Sequence, residues 1–316
     1  MSGDGRTRVG VMIMAYGGPN SLDEVPAFLD DIRRGRPTPQ ELVDEITERY
    51  AQIGGRSPIL ELTKVQAASI ERELNAFDDG REYHCYVGMR HWHPYIEDAV
   101  PEMLEEGVEL VAGAVMAPHF SRMSVGAYMG KLEKALKEQE SETPVVQVRS
   151  WKDEPDFICS VSAKIREAMD EHFPDKQLNE TMVLFTAHSL PARVLESGDP
   201  YREEILASVE LVAQQLGLKR FSFAFQSQGA TADPWLGPSV EETLAEFAAE
   251  GVKDLLFVPI GFVCDHVEVL FDVDIEHRQQ AEELGIRLER TNMLNDDPGL
   301  AKAVASAVRA AVAEQA

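Results

Sequence analysis

Three carboxylates stand four residues apart late in the chain, at Glu268, Asp272 and Glu276. Side chains at this spacing stack on one face of an α-helix, so a helix here would align the three acids in a column. Like charges in a column repel one another, and a solvated helix face more often interleaves Lys or Arg with its acids. The column is therefore either a solvated acidic face or a ladder of oxygen ligands that receives and passes on a divalent cation, and the spacing alone favours neither.

His188 follows an apolar run and precedes a turn, because Pro191 keeps the chain from continuing at once into a helix. A histidine of this kind, taken alone, is more often a hydrogen-bonded structural residue than a ligand. Together with Glu268 it forms a candidate site for a divalent first-row metal, since neutral imidazole with carboxylate suits Fe(II).

The charge balance of the 316-residue chain limits its partners. Thirty Lys and Arg face 55 Asp and Glu, which gives a net charge of −25. Such a charge disfavours nucleic acids and anionic membranes as partners. No apolar run reaches the length of a membrane span, so we expect no integral membrane segment.

The cysteines indicate a reduced compartment. Cys85, Cys159 and Cys264 are odd in number, widely spaced and without a C-x-x-C pair. We therefore expect a cytoplasmic protein. No cysteine-rich tail follows Met293, so we expect no iron–sulfur cluster.

Apolar runs of strand length alternate with amphipathic stretches along the chain. The strand candidates are Val9–Ala15, Tyr83–Met89, Leu110–Ala117, Val145–Ser150, Met182–Ala187, Phe221–Gln226, Leu255–Ile260 and Ile286–Thr291. Continuous apolar strands separated by helices predict an α/β fold, in which helices cover both faces of parallel sheets. Ser21 and Glu24 form a capping-box pattern at the start of a predicted helix over Ser21–Arg34.

An internal repeat indicates two halves of one kind. The stretch Pro94–Val108 aligns with Pro238–Val252 without a gap, at an offset of 252 − 108 = 144 residues. Six positions are identical, and each copy leads into an apolar run. Chance similarity of two amphipathic helices is the alternative to a duplicated βαβα half. Two such halves would face each other across a cleft, at the strand ends where open α/β sheets bind ligands.

Short motifs along nearly the whole chain resemble the ferrochelatases, most closely those that act on coproporphyrin in bacteria. The matching blocks are Met14–Gly17, Ile32–Arg36, Arg49–Tyr50, Ile53–Pro58, Ala117–Ser121, Ser150–Trp151, Ala187–Pro191, Asp199–Tyr201, Asp233–Pro238 and Gly261–Glu268. The resemblance implies two similar Rossmann-like domains, each a parallel sheet flanked by helices, with the active-site cleft between them. We expect a porphyrin-binding domain over residues 1–150, joined by the C-terminal helix 298–316. The second domain, residues 151–297, is expected to carry His188 and Glu268.

The resemblance also implies a lyase that inserts Fe(II) into a porphyrin in haem biosynthesis, with loss of two pyrrole protons. The preferred substrate is coproporphyrin III, which becomes Fe-coproporphyrin. The alternatives are protoporphyrin IX or another tetrapyrrole and, in a different class, a non-catalytic haem or metal carrier. His188 and Glu268 match the catalytic and metal-binding pair, because imidazole accepts a proton near neutral pH and a carboxylate ligates metal or relays a proton. Asp272 and Glu276 would be a secondary acidic ladder, or would tune the pair.

Six residues match positions that contact the porphyrin in this family: Tyr16, Arg33, Arg49, Tyr50, Ser57 and Tyr128. The residue types agree with that role, since Arg33 belongs to a basic cluster with Arg34 and Arg36 in an otherwise acidic chain. Arginine binds a carboxylate through two hydrogen bonds, and coproporphyrin carries four carboxylates.

Fe(II) would be a substrate rather than a resident group, and no tightly bound cofactor is expected. The expected partners are coproporphyrin III, Fe(II) and, transiently, the next enzyme of the haem pathway.

Overall fold

The computed structural model describes residues 6–229 and 234–315. Asp233, the first residue of one of the motif blocks, lies outside the described residues. The chain divides into two compact units. One runs up to Glu154 and resumes at Asn295, and the other spans Pro155–Leu294.

The first unit is a four-stranded parallel sheet in the order β2-β1-β3-β4. Its strands are β1 Thr7–Ala15, β2 Arg81–Met89, β3 Leu110–Val115 and β4 Val145–Val148. Its helices are α1 Val25–Ile32, α2 Gln40–Gln52, α3 Ile59–Asn75, α4 Ile96–Glu105, α5 Val125–Glu138 and, near the chain end, Pro298–Ala313. The central strand is buried from Val9 to Ala15, as expected for a parallel sheet covered on both faces.

The second unit repeats this sheet in the order β6-β5-β7-β8, again with parallel strands. Its strands are β5 Met182–His188, β6 Phe221–Gln226, β7 Asp254–Val258 and β8 Arg287–Arg290. Its helices are α6 Pro155–His172, α7 Arg193–Glu196, α8 Tyr201–Leu216, α9 Val240–Ala249, α10 Val267–Leu270 and α11 Arg278–Glu283, with a π-helical segment, Asp272–His277, between the last two. The C-terminal helix Pro298–Ala313 is then α12.

The predicted α/β class and its parallel sheets are confirmed. Every strand candidate forms a strand, with ends within two residues of the predicted ones. The last residue of β5 is His188, so the candidate imidazole stands at the carboxyl end of a central strand.

The internal repeat is confirmed at the level of elements. Helices α4 and α9 begin at residues 96 and 240 and end at 105 and 249, so both ends differ by 144. The following strands begin at 110 and 254, which is the same offset. The two sheets also have the same strand order, shifted by four strands.

The predicted capping box at Ser21 is wrong. A short 3₁₀ turn, Leu22–Glu24, precedes α1, and the Ser21 side chain caps neither. The Glu24 carboxylate is engaged elsewhere: its Oε2 accepts the Asn20 amide N–H at 2.7 Å and the Trp92 indole N–H at 2.8 Å. A tertiary contact from a loop 68 residues away has therefore replaced the local one.

Helix α12 packs on α3 within the first unit. Gln66 on α3 donates to the Asn295 carbonyl at 2.8 Å, and Arg309 on α12 donates to the Glu73 carbonyl at 3.2 Å. The Arg309 guanidinium also lies 4.1 Å from the ring centre of Phe77. None of the helices within residues 6–229 and 234–315 is both long and apolar enough to cross a bilayer.

A buried histidine gives the fold a specific acid sensitivity. His119 follows β3 and is 2% exposed. Burial lowers its pKa to about 3, and the charge of Lys152 acts in the same direction. The unfolded chain protonates this imidazole below about pH 6.5, whereas the folded chain keeps it neutral. The unfolded state then binds one more proton, so the free energy of unfolding falls as the pH falls from about 6.5 towards 3.

We expect His119→Gln to remove this contribution, which amounts to about 2 kcal/mol between about pH 7.5 and about pH 5. Urea unfolding measures the free energy of unfolding of wild type and variant at both pH values. The change between the two pH values is then compared for the two proteins, so any pH-independent loss of packing in the variant cancels. His93→Gln, at a histidine whose side chain is 65% exposed, is the matched control and should keep the wild-type pH dependence. An equally steep pH dependence in His119→Gln would contradict the argument.

Candidate active site

The structure brings His188 and Glu268 together. His188 ends β5, and Glu268 lies in α10, which follows the neighbouring strand β7. The imidazole Nε2 is 3.6 Å from the carboxylate Oε1. Both side chains are about one third exposed, so a small ion or a substrate can reach them. Parallel strands bring their carboxyl ends to the same edge of a sheet, which explains why residues 80 positions apart meet.

The backbone fixes the orientation of the His188 ring. Its Nδ1 is hydrogen-bonded to the Ser189 carbonyl, and its own carbonyl accepts the Tyr201 hydroxyl at 3.0 Å. A carbonyl can only accept, so the proton belongs on Nδ1 and the lone pair on Nε2. The Nε2 lone pair therefore points at the edge shared with Glu268, where it can accept a proton or bind a metal.

The second oxygen of Glu268 is buried without a donor. No hydrogen bond from the described residues reaches Oε2, although His266 Nε2 approaches to 4.0 Å. The His266 ring is held by the Cys264 carbonyl, 3.0 Å from Nδ1. An unsatisfied buried acceptor costs about 1–3 kcal/mol, more when it is charged, so this oxygen fits a cation better than a structural role.

Sequence reasoning missed His266. The signal was present in the run Asp265-His266-Val267-Glu268, where an imidazole lies two residues before the carboxylate. Residues two apart do not share a helix face, but His266 has extended backbone angles and precedes the helix. Glu268 therefore lies between two imidazoles.

No group of three or more His, Cys, Asp or Glu side chains in the described parts of the chain could enclose a metal ion. His188 and Glu268 together supply two ligands. A closed site with four protein ligands suits a structural metal, whereas an ion that must be handed on needs open coordination positions. With two such side chains, His188 and Glu268 form an open site of the second kind.

A buried glutamine fixes the backbone of Glu268. Gln226 ends β6 and is 1% exposed. Its amide N–H donates to the Glu268 carbonyl at 2.9 Å, while its amide oxygen accepts the Thr186 hydroxyl at 2.7 Å. The polar side chains at the ends of two neighbouring strands thus hold the first turn of α10. In the sequence, the only indication of this role is that Gln226 is the polar residue at the end of the mainly apolar run Phe221–Gln226.

The acidic column lies on a helix that changes its winding. The three acids do not lie on one regular α-helix, because α10 passes into the π-helical segment Asp272–His277. The Phe271 carbonyl accepts N–H groups from Ile275 at 3.0 Å and from Glu276 at 3.1 Å, and the second bond spans five residues. The four-residue spacing of the acids is slightly more than one α-helical turn, which has 3.6 residues, and slightly less than one turn of the wider π-helix. The angular deviation on the α-helical part therefore opposes that on the π-helical part, and the three acids stay roughly in line.

Asp272, the middle acid of the column, is buried rather than solvated. Asp272 is 7% exposed, and its Oδ2 accepts the Ser227 hydroxyl at 2.6 Å. Ser227 directly follows β6 and has a positive φ of 58°. Glu276, one step further, is partly buried. Burial of Asp272 disfavours the solvated-face interpretation for that residue.

An arginine anchors the π-helical segment to the sheet. Arg290, the last residue of β8, binds both oxygens of Asp274, with Nε 2.7 Å from Oδ1 and Nη2 2.8 Å from Oδ2. Asp265 adds a longer contact of 3.4 Å. Burial alone would lower the pKa of Arg290, but these carboxylates raise it, so the guanidinium stays charged. Asp265 and Asp274 flank the column, and both are fixed by this one guanidinium.

Three of the candidate porphyrin contacts in the first unit remain accessible. Tyr16, just after β1, is 40% exposed. The Arg33 Nη2 donates to the Pro37 carbonyl at 3.0 Å, while its Nε is buried without an acceptor among the described residues. Arg49 on α2 pairs with Glu45 at 2.9 Å, and its side chain is 25% exposed.

The other three candidates are buried. Tyr50, Ser57 and Tyr128 are between 2% and 6% exposed, so they offer little side-chain surface in this structure. Ser57 packs on the loop after β1, where a Cβ added to Gly18 would fall 2.6 Å from its Oγ. The Tyr50 hydroxyl lies beside the same glycine.

Comparison with known structures identifies the architecture. The fold is similar to that of SirB from Bacillus subtilis, solved with Fe3+, with a TM-score of 0.60 and 10% identity over 98% of this chain and 97% of the other. At this identity the likeness concerns the fold alone, an α/β architecture of parallel sheets flanked by helices.

Sequence comparison identifies the family. The family model described as Ferrochelatase matches residues 8–312. A ferrochelatase of Herpetosiphon aurantiacus is 44% identical over 92% of this chain and 95% of its own. A coproporphyrin III ferrochelatase of Halalkalibacterium halodurans is 38% identical over 98% and 99%. The chain therefore belongs to the ferrochelatase family. The predictions of a metal chelatase of the lyase class and of iron insertion in haem biosynthesis are confirmed.

The bridge made by Gln226 yields a test. We expect Gln226→Leu to lower kcat for metal insertion about tenfold with little change in the KM for porphyrin, because the lost bond loosens Glu268. Steady-state kinetics measures both constants. The matched control is Gln147→Leu, the same change at an exposed position of β4, which should leave both unchanged. An unaltered kcat in Gln226→Leu would show that the bridge does not position the carboxylate.

Proposed function

We propose that this protein is a coproporphyrin III ferrochelatase, which inserts Fe(II) into coproporphyrin III and releases Fe-coproporphyrin and two protons. The observation that carries the chemistry is the pairing of His188 Nε2 with Glu268, whose second oxygen is buried without a donor. The choice of porphyrin is supported by the name of the Halalkalibacterium halodurans relative and by the arginine cluster around Arg33.

The pair divides the work of metallation. A free porphyrin carries two pyrrole N–H groups, and both protons must leave as the metal binds. The Nε2 of His188 accepts the first proton and becomes imidazolium, which the carboxylate 3.6 Å away stabilises. Glu268 holds the partly dehydrated Fe(II) through its carboxylate, whose side chain is partly exposed, until the pyrrole nitrogens replace it. After His188 has released the first proton, it accepts the second in the same way.

Asp272 and Glu276 extend the pair along the helix. We propose that they conduct protons or the incoming cation to and from Glu268, since carboxylates at this spacing lie within one turn of one another. Asp272 reaches Ser227, whose hydroxyl can both donate and accept a proton.

Arg33 is proposed to bind a porphyrin carboxylate. Its Nε has no acceptor within the described chain, and its Nη2 is engaged by the Pro37 carbonyl. The side chain is only partly buried, and a porphyrin carboxylate that reaches the guanidinium would bind it through a charge-assisted hydrogen bond. Tyr16, Arg49, Tyr50, Ser57 and Tyr128 are proposed to complete the porphyrin contacts.

We further propose that the enzyme works in the cytoplasm without a tightly bound cofactor or iron–sulfur cluster. The product would pass in a transient contact to the next enzyme of the haem pathway. The three widely spaced cysteines, without a C-x-x-C pair, support the reducing compartment and the lack of a cluster.

One assay tests the activity and its substrate together. Wild type is incubated anaerobically with Fe(II) and either coproporphyrin III or protoporphyrin IX, and the absorbance of the metalloporphyrin is followed. We expect faster metallation of coproporphyrin III. His188→Ala should lower the rate by about 10²–10⁴-fold, the range for loss of a general base. His84→Ala, in β2 of the other unit, is the control. Metallation of neither porphyrin, or full activity of His188→Ala, would refute the proposal, and a preference for protoporphyrin IX would overturn the substrate.

The role of Arg33 is tested by comparing porphyrins. Arg33→Ala should raise the KM for coproporphyrin III, which has four carboxylates, about tenfold or more, and should raise that for protoporphyrin IX, which has two, by less. Arg34→Ala removes the same charge from the exposed neighbour and should have a much smaller effect. Equal losses with the two porphyrins, or equal effects of the two variants, would show that Arg33 acts only through the general charge.

A further inference from the structure

Tyr16 is held in place by a residue outside the predicted site. It follows the last residue of β1 and is 40% exposed. An exposed tyrosine samples several side-chain rotamers, and fixing one of them on binding lowers affinity. A tyrosine that meets a flat ligand therefore benefits from a support that fixes its ring beforehand.

His91 supplies such a support twice. Its ring lies against the Tyr16 ring, with centroids 4.7 Å apart and planes inclined by 48°. Its backbone N–H also donates to the Tyr16 carbonyl at 2.9 Å, which continues the β1–β2 pairing past the end of both strands. The backbone and the ring of Tyr16 are thus both fixed by one residue.

His91 is in turn fixed by Asp31. Its Nδ1 lies 2.7 Å from Asp31 Oδ2, and its side chain is only 13% exposed. A carboxylate accepts, so it holds the proton on Nδ1 and sets the ring orientation. Burial lowers the pKa of His91, although the bond to Asp31 opposes this, so the ring is neutral near pH 7. The Tyr95 hydroxyl also hydrogen-bonds Asp31 and restrains the carboxylate.

The residues on either side of His91 support other aromatic side chains. The Arg90 guanidinium lies 5.2 Å from the ring centre of Tyr128. On the other side, the Trp92 ring packs edge-on against Phe28 at 5.9 Å. Phe28 packs in the same manner on Tyr50, at 6.4 Å. Three consecutive residues after β2, Arg90 to Trp92, therefore support three of the proposed porphyrin contacts, directly or through one ring.

We propose that His91, fixed by Asp31, is a positioning residue that holds Tyr16 in the orientation in which it meets the porphyrin. The proposal rests on the proposed function, because it takes Tyr16 as a porphyrin contact. His91 acts through Tyr16 and takes no part in proton transfer or metal binding.

The first experiment measures binding of metal-free coproporphyrin III by fluorescence quenching, together with kcat. We expect His91→Ala to weaken binding about threefold to tenfold, with kcat changed less than about twofold. His91→Phe keeps a ring but loses the bond to Asp31, and should recover part of the affinity. His93→Ala, two residues on at a largely exposed side chain, is the matched control and should bind as wild type does.

A double-mutant cycle separates an indirect role from a direct one. If His91 acts through Tyr16, then adding His91→Ala to Tyr16→Ala should cause no further loss of affinity. Additive losses would show that His91 binds the porphyrin itself and would overturn the proposal. An unchanged affinity in His91→Ala alone would overturn it as well.

A ligand-free measurement distinguishes failure of this proposal from failure of the proposed function. The ring signals of Tyr16 in ¹³C-tyrosine-labelled protein are assigned by their absence in Tyr16→Phe. They should shift in His91→Ala and stay in place in His93→Ala. Unmoved signals would refute the support by His91 even in an active enzyme. If wild type binds no porphyrin, the proposed function and the porphyrin half of this proposal both fail, while the ring signals still decide whether His91 holds Tyr16.

Discussion

The second unit is organised around a carboxylate oxygen that is buried and receives no hydrogen bond from the described residues. Such a group is costly, and it persists only where the surrounding structure fixes it. Glu268 is restrained from three directions: Gln226 holds its carbonyl, the pairing of Arg290 with Asp274 anchors the helix behind it, and His188 faces it from the next strand. These contacts fix the position of the carboxylate that the proposed function assigns to Fe(II).

Parallel pairing of the strands determines where this chemistry can occur. In each unit the carboxyl ends of four strands meet at one edge, and the residues just beyond them carry the functional side chains. In the second unit these are His188 and Gln226, with Glu268 in the helix after β7. In the first unit they are Tyr16 and His91, whose backbone groups extend the strand pairing by one step. A single duplicated framework thus presents an imidazole and a carboxylate at the strand ends of one copy and aromatic rings at those of the other.

The sequence predicted those features that depend on pattern. Apolar runs predicted all eight strands, the 144-residue offset predicted the repeat, and the strand ends predicted that His188 and Glu268 belong to one site. Features that depend on tertiary contacts were not predictable. The sequence pattern predicted that Glu24 caps a helix. Its carboxylate instead accepts a hydrogen bond from Trp92, a contact that the local spacing of residues cannot indicate. The roles of Gln226 and His266 depend on which strands are neighbours. The π-helical winding could not be predicted, because a four-residue spacing of acids is compatible with both an α-helical and a π-helical turn.

The change of winding after α10 makes this part of the chain sensitive to length rather than to composition. In the first copy, the strand β3 is followed by an uninterrupted helix, α5, of 14 residues. In the second copy, an α-helical, a π-helical and another α-helical piece take its place between Val267 and Glu283. Removing one residue between Asp272 and Glu276 would allow the wide turn to relax to ordinary α-helix and would rotate Glu276 away from Glu268. A substitution there changes one side chain, whereas a single deletion would separate the last acid of the column from the two that precede it.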